Sequence, residues 1–243
     1  MIRKTRGIVL HTTRYGESSL VVHCYTEQWG RQTYMVKGVR KSRRNNRSNL
    51  FQPLFILDFE VYHKDNRDMQ LVKEVARAFP LNSIPYEITK STQALFLAEV
   101  LYRVIREEEP NPVLAGFLVS SIQYLDALPD PLPDFHIVFL FRLSRHLGFY
   151  PQNNFGERDR YFDLVSGRFK SVYSNPGVQL DEVTSVLWNK YIAIDYAESE
   201  KLGFNSAHRK SVLESLVKYY RNHVEGLGEI KSLEVLHDFF HNL

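Results

Sequence analysis

Between Lys37 and Arg47 the chain reads Lys-Gly-Val-Arg-Lys-Ser-Arg-Arg-Asn-Asn-Arg, eleven residues with six cations (Lys37, Arg40, Lys41, Arg43, Arg44, Arg47) and no acid. Like charges this close repel one another, so the segment gains from a partner that carries negative charge at regular spacing. A nucleic-acid backbone is such a partner, and its neutralisation releases counterions, which drives binding. Gly38, Asn45 and Asn46 leave the segment pliable enough to follow a backbone. Arg3, Lys4, Arg6, Arg14 and Arg31 add cations upstream, and Tyr15, Trp29 and Tyr34 offer rings on which bases can stack. The expected nucleic-acid contacts are therefore Arg14, Arg31, Tyr34, Lys37, Arg40, Lys41, Arg43, Arg44 and Arg47. A solvated loop of a basic protein has the same composition, and mid-strand Tyr34 suits core packing equally well.

Other chemistry finds little support. No Gly-x-Ser-x-Gly elbow, phosphate-binding loop, Gly-x-Gly-x-x-Gly or His-Glu-x-x-His occurs. His237 and His241 have the i, i+4 spacing of a metal pair, but no third ligand stands near them in sequence. Glu107-Glu108-Glu109 precedes a proline, which suits a solvated helix end. Cys24 is the only cysteine and sits in an apolar strand, so disulfides and Cys-pair zinc sites are excluded and a buried, inert thiol is expected. A metal-dependent nuclease needs clustered carboxylates, and residues 1–47, the basic part of the chain, hold only Glu17 and Glu27. No catalytic residue and no cofactor is expected. With no apolar run near the ~20 residues of a membrane span and no signal-peptide core, a cytoplasmic setting without membrane contact is expected.

These residues need elements to position them. Residues 6–13, 20–26, 32–37, 54–62 and 69–75 are β-branched, apolar or alternating, with turn residues between them, which predicts five strands in a small barrel or a sandwich. The basic segment falls between the third and fourth. From about Tyr86 the period becomes helical, with helices ending at Glu107-Glu108-Glu109-Pro110, Leu128 and Leu147. An irregular stretch at about 149–180 carries one hairpin near Ser166-Gly167, and helices resume near Asp181, the clearest spanning about Ser206 to Val224. The reading is a β head over 1–80 followed by a helical domain over 81–243. At 44% hydrophobic residues the chain can bury a core in each. Its net charge of +3 hides an uneven distribution: residues 1–47 carry eleven basic and two acidic residues (+9), and the other 196 carry 20 basic and 26 acidic (−6). Such asymmetry directs a polyanion to the head.

Gly7-Ile-Val-Leu10, Tyr15-Gly-Glu17, Thr26, Gly30, Lys37-Gly-Val-Arg-Lys41, Ser42, Leu50, Pro53, Leu147-Gly-Phe-Tyr-Pro151 and Ile230-Lys-Ser232 occur in an order and spacing that resemble the RecO family of bacterial recombination mediators. The resemblance spans essentially the whole chain. It implies an α+β protein, an N-terminal OB-fold followed by an all-α domain. It further implies binding of single- and double-stranded DNA, annealing of complementary strands, and loading of RecA onto DNA coated by single-strand-binding protein. RecR and the acidic C-terminal tail of single-strand-binding protein are the implied partners, RecA an indirect one, and the location cytoplasmic and nucleoid-associated. Arg142 and Arg145, i, i+3 on a helix with Phe139 and Leu143, are the candidate contacts for the tail, although a solvated helix face accounts for them as readily. Many family members place four zinc-binding cysteines after Leu-Gly-Phe-x-Pro. Here that stretch has none, so Tyr161, Phe162, Leu164, Phe169 and Tyr173 are expected to pack in the metal's place. Two other classes compete: a non-enzymatic adaptor with a generic single-strand-binding OB-fold, and a phosphoryl-transfer enzyme.

Overall fold

A computed structural model describes residues 1–39 and 47–241. Arg40, Lys41, Arg43 and Arg44 lie outside the described residues. The chain divides into two compact units, Met1–Pro129 and Asp130–Leu243.

In the first unit five strands form a closed barrel: β1 (Ile2–Tyr15), β2 (Ser19–Thr26), β3 (Gly30–Val36), β4 (Ile56–Tyr62) and β5 (Met69–Arg77), in the order β1-β2-β3-β5-β4 with β4 closing on β1. All pairings are antiparallel except β3 with β5. This is the OB-like arrangement, and it removes the sandwich alternative. β1 is long because it serves two neighbours, pairing β4 through residues 2–8 and β2 through residues 7–15. A bulge between Val9 and His11 turns it from one to the other. Alternate residues fill the barrel, among them Val22, Cys24, Tyr34, Leu57, Phe59 and Val61, all essentially without solvent exposure. Burial raises the pKa of the Cys24 thiol and so suppresses its reactivity.

Helices α1 (Ile88–Val104) and α2 (Pro112–Ala127) belong to the same compact unit, so the unit boundary at Pro129 falls later than the change from strand to helix. Asp126, near the end of α2, accepts hydrogen bonds from the backbone N–H groups of Asn82, Ser83 and Ile84 at 2.8–2.9 Å, fixing the segment between barrel and helix. Fully buried Lys90 donates to Ser83 Oγ at 2.8 Å and to the Leu128 carbonyl.

The second unit is built on α3 (Phe135–His146), whose residues from Phe135 to Phe141 are all buried. Around it stand α4 (Glu182–Ile192), the short α5 (Tyr196–Ser199), α6 (Ser206–His223) and α7 (Ser232–His241). The expected hairpin is present as β6 (Tyr161–Asp163) and β7 (Arg168–Lys170), turning at Gly167 with φ 66°. Phe162, Leu164 and Phe169 are buried, with Phe162 against Trp188 at 4.4 Å. Tyr161 and Tyr173 instead pair with each other at 5.2 Å, Tyr173 remaining exposed. Two amide side chains add cross-links within the segment. Asn154 both donates to the Phe169 carbonyl and accepts from its N–H, at 3.0 and 2.9 Å. Gln179 accepts from Ser174 and Asn175 N–H and donates to the Val172 carbonyl.

Among the described residues no helix is long and apolar enough to cross a membrane.

Candidate nucleic-acid interface

The strand register brings several of the expected contacts to one rim of the barrel. Arg14 on β1 pairs with Leu20 on β2, which pairs with Val36 on β3, while Tyr15 pairs with Ser19. The end of β1, the start of β2 and the end of β3 therefore share a level. The Val39 N–H donates to the Ser18 carbonyl at 2.8 Å, so the basic segment departs from the β1–β2 turn. Arg14, Tyr15 and Lys37 are all exposed there. Downstream, the backbone of Arg47 opens a 3-10 turn, Arg47–Leu50, that leads back toward β4.

Other expected contacts stand elsewhere. Tyr34 has no solvent exposure; it pairs with inward-facing Val22, and its ring meets Phe59 at 5.0 Å inside the barrel. It cannot offer a face to a base, which corrects the expectation from sequence. Arg31 is the second residue of β3, some 20 Å from Lys37 at ~3.3 Å per residue. Its Nη1 donates to the Tyr102 and Ile105 carbonyls at 2.8 and 2.9 Å, and its guanidinium lies 4.5 Å from the Tyr102 ring centre. It satisfies carbonyls at the C-terminal end of α1, where a cation also suits the helix dipole. Lys4 and Arg6 are held by Glu60 and Asp58 at 3.0 and 2.9 Å. Trp29 is half-buried with one face stacked on His63 at 4.3 Å.

α1 also limits which part of the barrel wall is open. His11 and His23, cross-strand partners on β1 and β2, pack against Tyr102 at 4.7 and 5.1 Å. Desolvation there lowers the pKa of both imidazoles.

In the second unit Arg142 and Arg145 lie over Tyr196 and Tyr150, at 5.1 and 4.2 Å from the ring centres. A separate cavity of about 190 Å³ opens between α3, α6 and α7. Its wall combines Leu213, Leu236 and Phe240 with the cations Arg209 and Lys210, beside His136 and His237. Burial, with Arg209 and His237 nearby, depresses the His136 pKa to about 3, so this ring is neutral. No local sequence pattern joins Arg209 and Lys210 to this apolar wall; the packing of α6 on α7 does.

The residues present do not fit the zinc that many family members carry: 152–180 contains no cysteine, and among the described residues no three His, Cys, Asp or Glu side chains group as metal ligands. His237 faces Glu214 at 3.9 Å.

An OB-like barrel with a cationic rim, followed by a helical body, defines the class. Residues 1–79 match the family model "Recombination protein O N terminal", and residues 85–234 match "Recombination protein O C terminal". The chain is 39% identical over 243 residues to the DNA repair protein RecO of Bacteroides fragilis, covering 99% of this chain and 100% of that one. Its identity to the DNA repair protein RecO of Phocaeicola vulgatus is 35% over 240 residues (99% and 100% covered), and to that of Flavobacterium psychrophilum 34% over 238 (98% of each). The chain belongs to the RecO family of DNA repair proteins.

Proposed function

We propose that this chain binds single- and double-stranded DNA at the barrel rim, anneals complementary single strands, and helps load RecA onto DNA coated by single-strand-binding protein. The observation that carries this reading is the meeting of Arg14, Tyr15 and Lys37 at the point where the basic segment leaves the β1–β2 turn. A cationic rim neutralises two phosphate backbones and leaves the bases free to pair. No bond is made or broken, so the chain works without catalytic residues or a cofactor, in the cytoplasm at the nucleoid.

Arg14, Lys37, Arg40, Lys41, Arg43, Arg44 and Arg47 are the proposed backbone contacts. For the acidic tail of single-strand-binding protein, Arg142 and Arg145 were the pair marked in sequence. The α3–α6–α7 cavity supports the tail reading better, because it joins Arg209 and Lys210 to an apolar wall beside the positive end of the α6 dipole. RecR as a further partner rests on the family alone.

Strand annealing with and without single-strand-binding protein is the test. Annealing of coated strands is expected. Binding without annealing reduces the chain to an adaptor with a DNA-binding barrel, and metal-dependent cleavage of the oligonucleotides contradicts the non-enzymatic reading.

A further inference from the structure

His237 stands on the wall of the α3–α6–α7 cavity, together with Arg209 and Lys210. Its Nε2 is buried and has no hydrogen-bond partner among the described residues. The Glu214 carboxylate is 3.9 Å away, beyond hydrogen-bond reach. Arg209 Nε is unpartnered in the same way, while its Nη1 donates to the Phe204 carbonyl. Polar atoms buried without partners are costly, so two of them at one cavity mark a place where a ligand or a proton restores the balance.

The groups packed around the ring decide its charge. Burial lowers its pKa; Glu214 and Asp238 oppose the shift and Lys210 adds to it. From α3 comes His136, fully buried against Phe240 and neutral, its pKa depressed to about 3 by burial. From α6 come Arg209, Lys210 and Glu214, and α7 adds exposed Asp238 and, one turn before the ring, exposed Glu234. While His237 is neutral, two cations stand against three carboxylates, and an acidic ligand meets no surplus of positive charge. A proton on His237 evens the count and gives Glu214 a partner.

We infer that His237 couples the binding of an acidic peptide at this cavity to the uptake of a proton: the ring is neutral in the free chain and becomes cationic when the ligand's carboxylates enter. The inference rests on the proposed site for the tail of single-strand-binding protein and adds the regulation of that site by pH. A protonated ring turns the approach to Glu214 into an ion pair and leaves Arg209 and Lys210 to the ligand. The sign follows from linkage. The ligand raises a pKa that burial has lowered, so between the two titration points the bound chain holds the extra proton. Affinity therefore rises as pH falls through that window, by about tenfold per pH unit at most.

The test is titration calorimetry of the full chain with an N-acetylated acidic-tail peptide, from about pH 5.5 to about pH 8, in two buffers of different ionisation enthalpy. The peptide's carboxylates titrate well below this range, so proton uptake reports on the protein. The parent is expected to bind more tightly as pH falls and to take up as much as about one proton per peptide within the window. His237→Gln is expected to lose both the uptake and most of the pH dependence, and Glu214→Gln to bind more tightly than the parent at the high end of the range. A melting temperature close to the parent's verifies folding, and if His237→Gln fails to fold, His237→Asn takes its place with the same readout. Parent binding with no uptake and no pH dependence overturns the coupling, as does a His237→Gln chain that takes up the proton like the parent. Lys210→Glu separates the two readings: if it abolishes peptide binding while the parent shows no uptake, the cavity stands and only the coupling falls. If the parent does not bind the peptide at any pH, or if Lys210→Glu leaves binding unchanged, the cavity reading fails as well.

Discussion

Arg31 separates structural from DNA-binding cations, because its composition suits both roles and its geometry suits one. The change is Arg31→Ala. It removes two hydrogen bonds from a charged donor to the Tyr102 and Ile105 carbonyls and a guanidinium 4.5 Å from the Tyr102 ring centre. In this partly exposed setting each hydrogen bond is worth about 1–1.5 kcal/mol net, and the ring contact ~0.5–1 kcal/mol. Freed side-chain entropy returns about 1 kcal/mol, which leaves a loss of roughly 1.5–3 kcal/mol. For a chain of 243 residues that lowers Tm by roughly 3–12 °C at ~2–4 °C per kcal/mol. The paired assay is the salt dependence of oligonucleotide binding, where one phosphate contact on a single strand contributes ~0.7 to the slope. Arg31→Ala is expected to lower Tm and leave the slope unchanged. A slope smaller by about 0.7 with an unaltered Tm refutes the structural assignment and places Arg31 at the DNA.

His136 titrates near 3 in the fold against 6.5 when unfolded. The unfolded chain thus binds the extra proton, and stability is lost as pH falls below 6.5, by about 2 kcal/mol from this group between pH 7 and 5; urea unfolding at the two pH values measures it, and His136→Gln should flatten the difference. Gly30 has φ 57°, and an added Cβ would lie 2.4 and 2.5 Å from the Glu109 and Glu107 carbonyl oxygens, so Gly30→Ala is expected to cost about 3 kcal/mol in thermal unfolding. Asn154→Ala removes both hydrogen bonds to Phe169 and should cost about 2 kcal/mol and open the 152–170 segment to limited proteolysis, whereas a chelator should leave the parent's Tm unchanged.

The strands, the helices and the cationic head were legible because each is written locally, in alternation, period and charge. What was hidden depended on pairing. Tyr34 and Tyr62 are both strand tyrosines, yet β3 alternates Arg31, Thr33 and Met35 with Gln32, Tyr34 and Val36, so neither phase stands out as the inner one. Barrel closure sets that phase, with bulges at Val9/His11 and Glu60/Val61. On β4 the signal was present: Tyr62 shares the phase of Asp58 and Glu60, opposite Leu57, Phe59 and Val61. Arg31 meets carbonyls 71 and 74 residues away, a contact no local pattern announces. Asn154 and Gln179 read as loop polarity, and only the folded segment shows that they hydrogen-bond the backbone across it.

The rim is tested most directly by reversing Arg43, Arg44 and Arg47 to Glu and measuring oligonucleotide affinity across a salt series. If the basic segment holds the backbone, affinity falls sharply and the slope against log salt shrinks by about 2, the share of three phosphate contacts on a single strand. An unchanged affinity and slope would contradict binding at the rim.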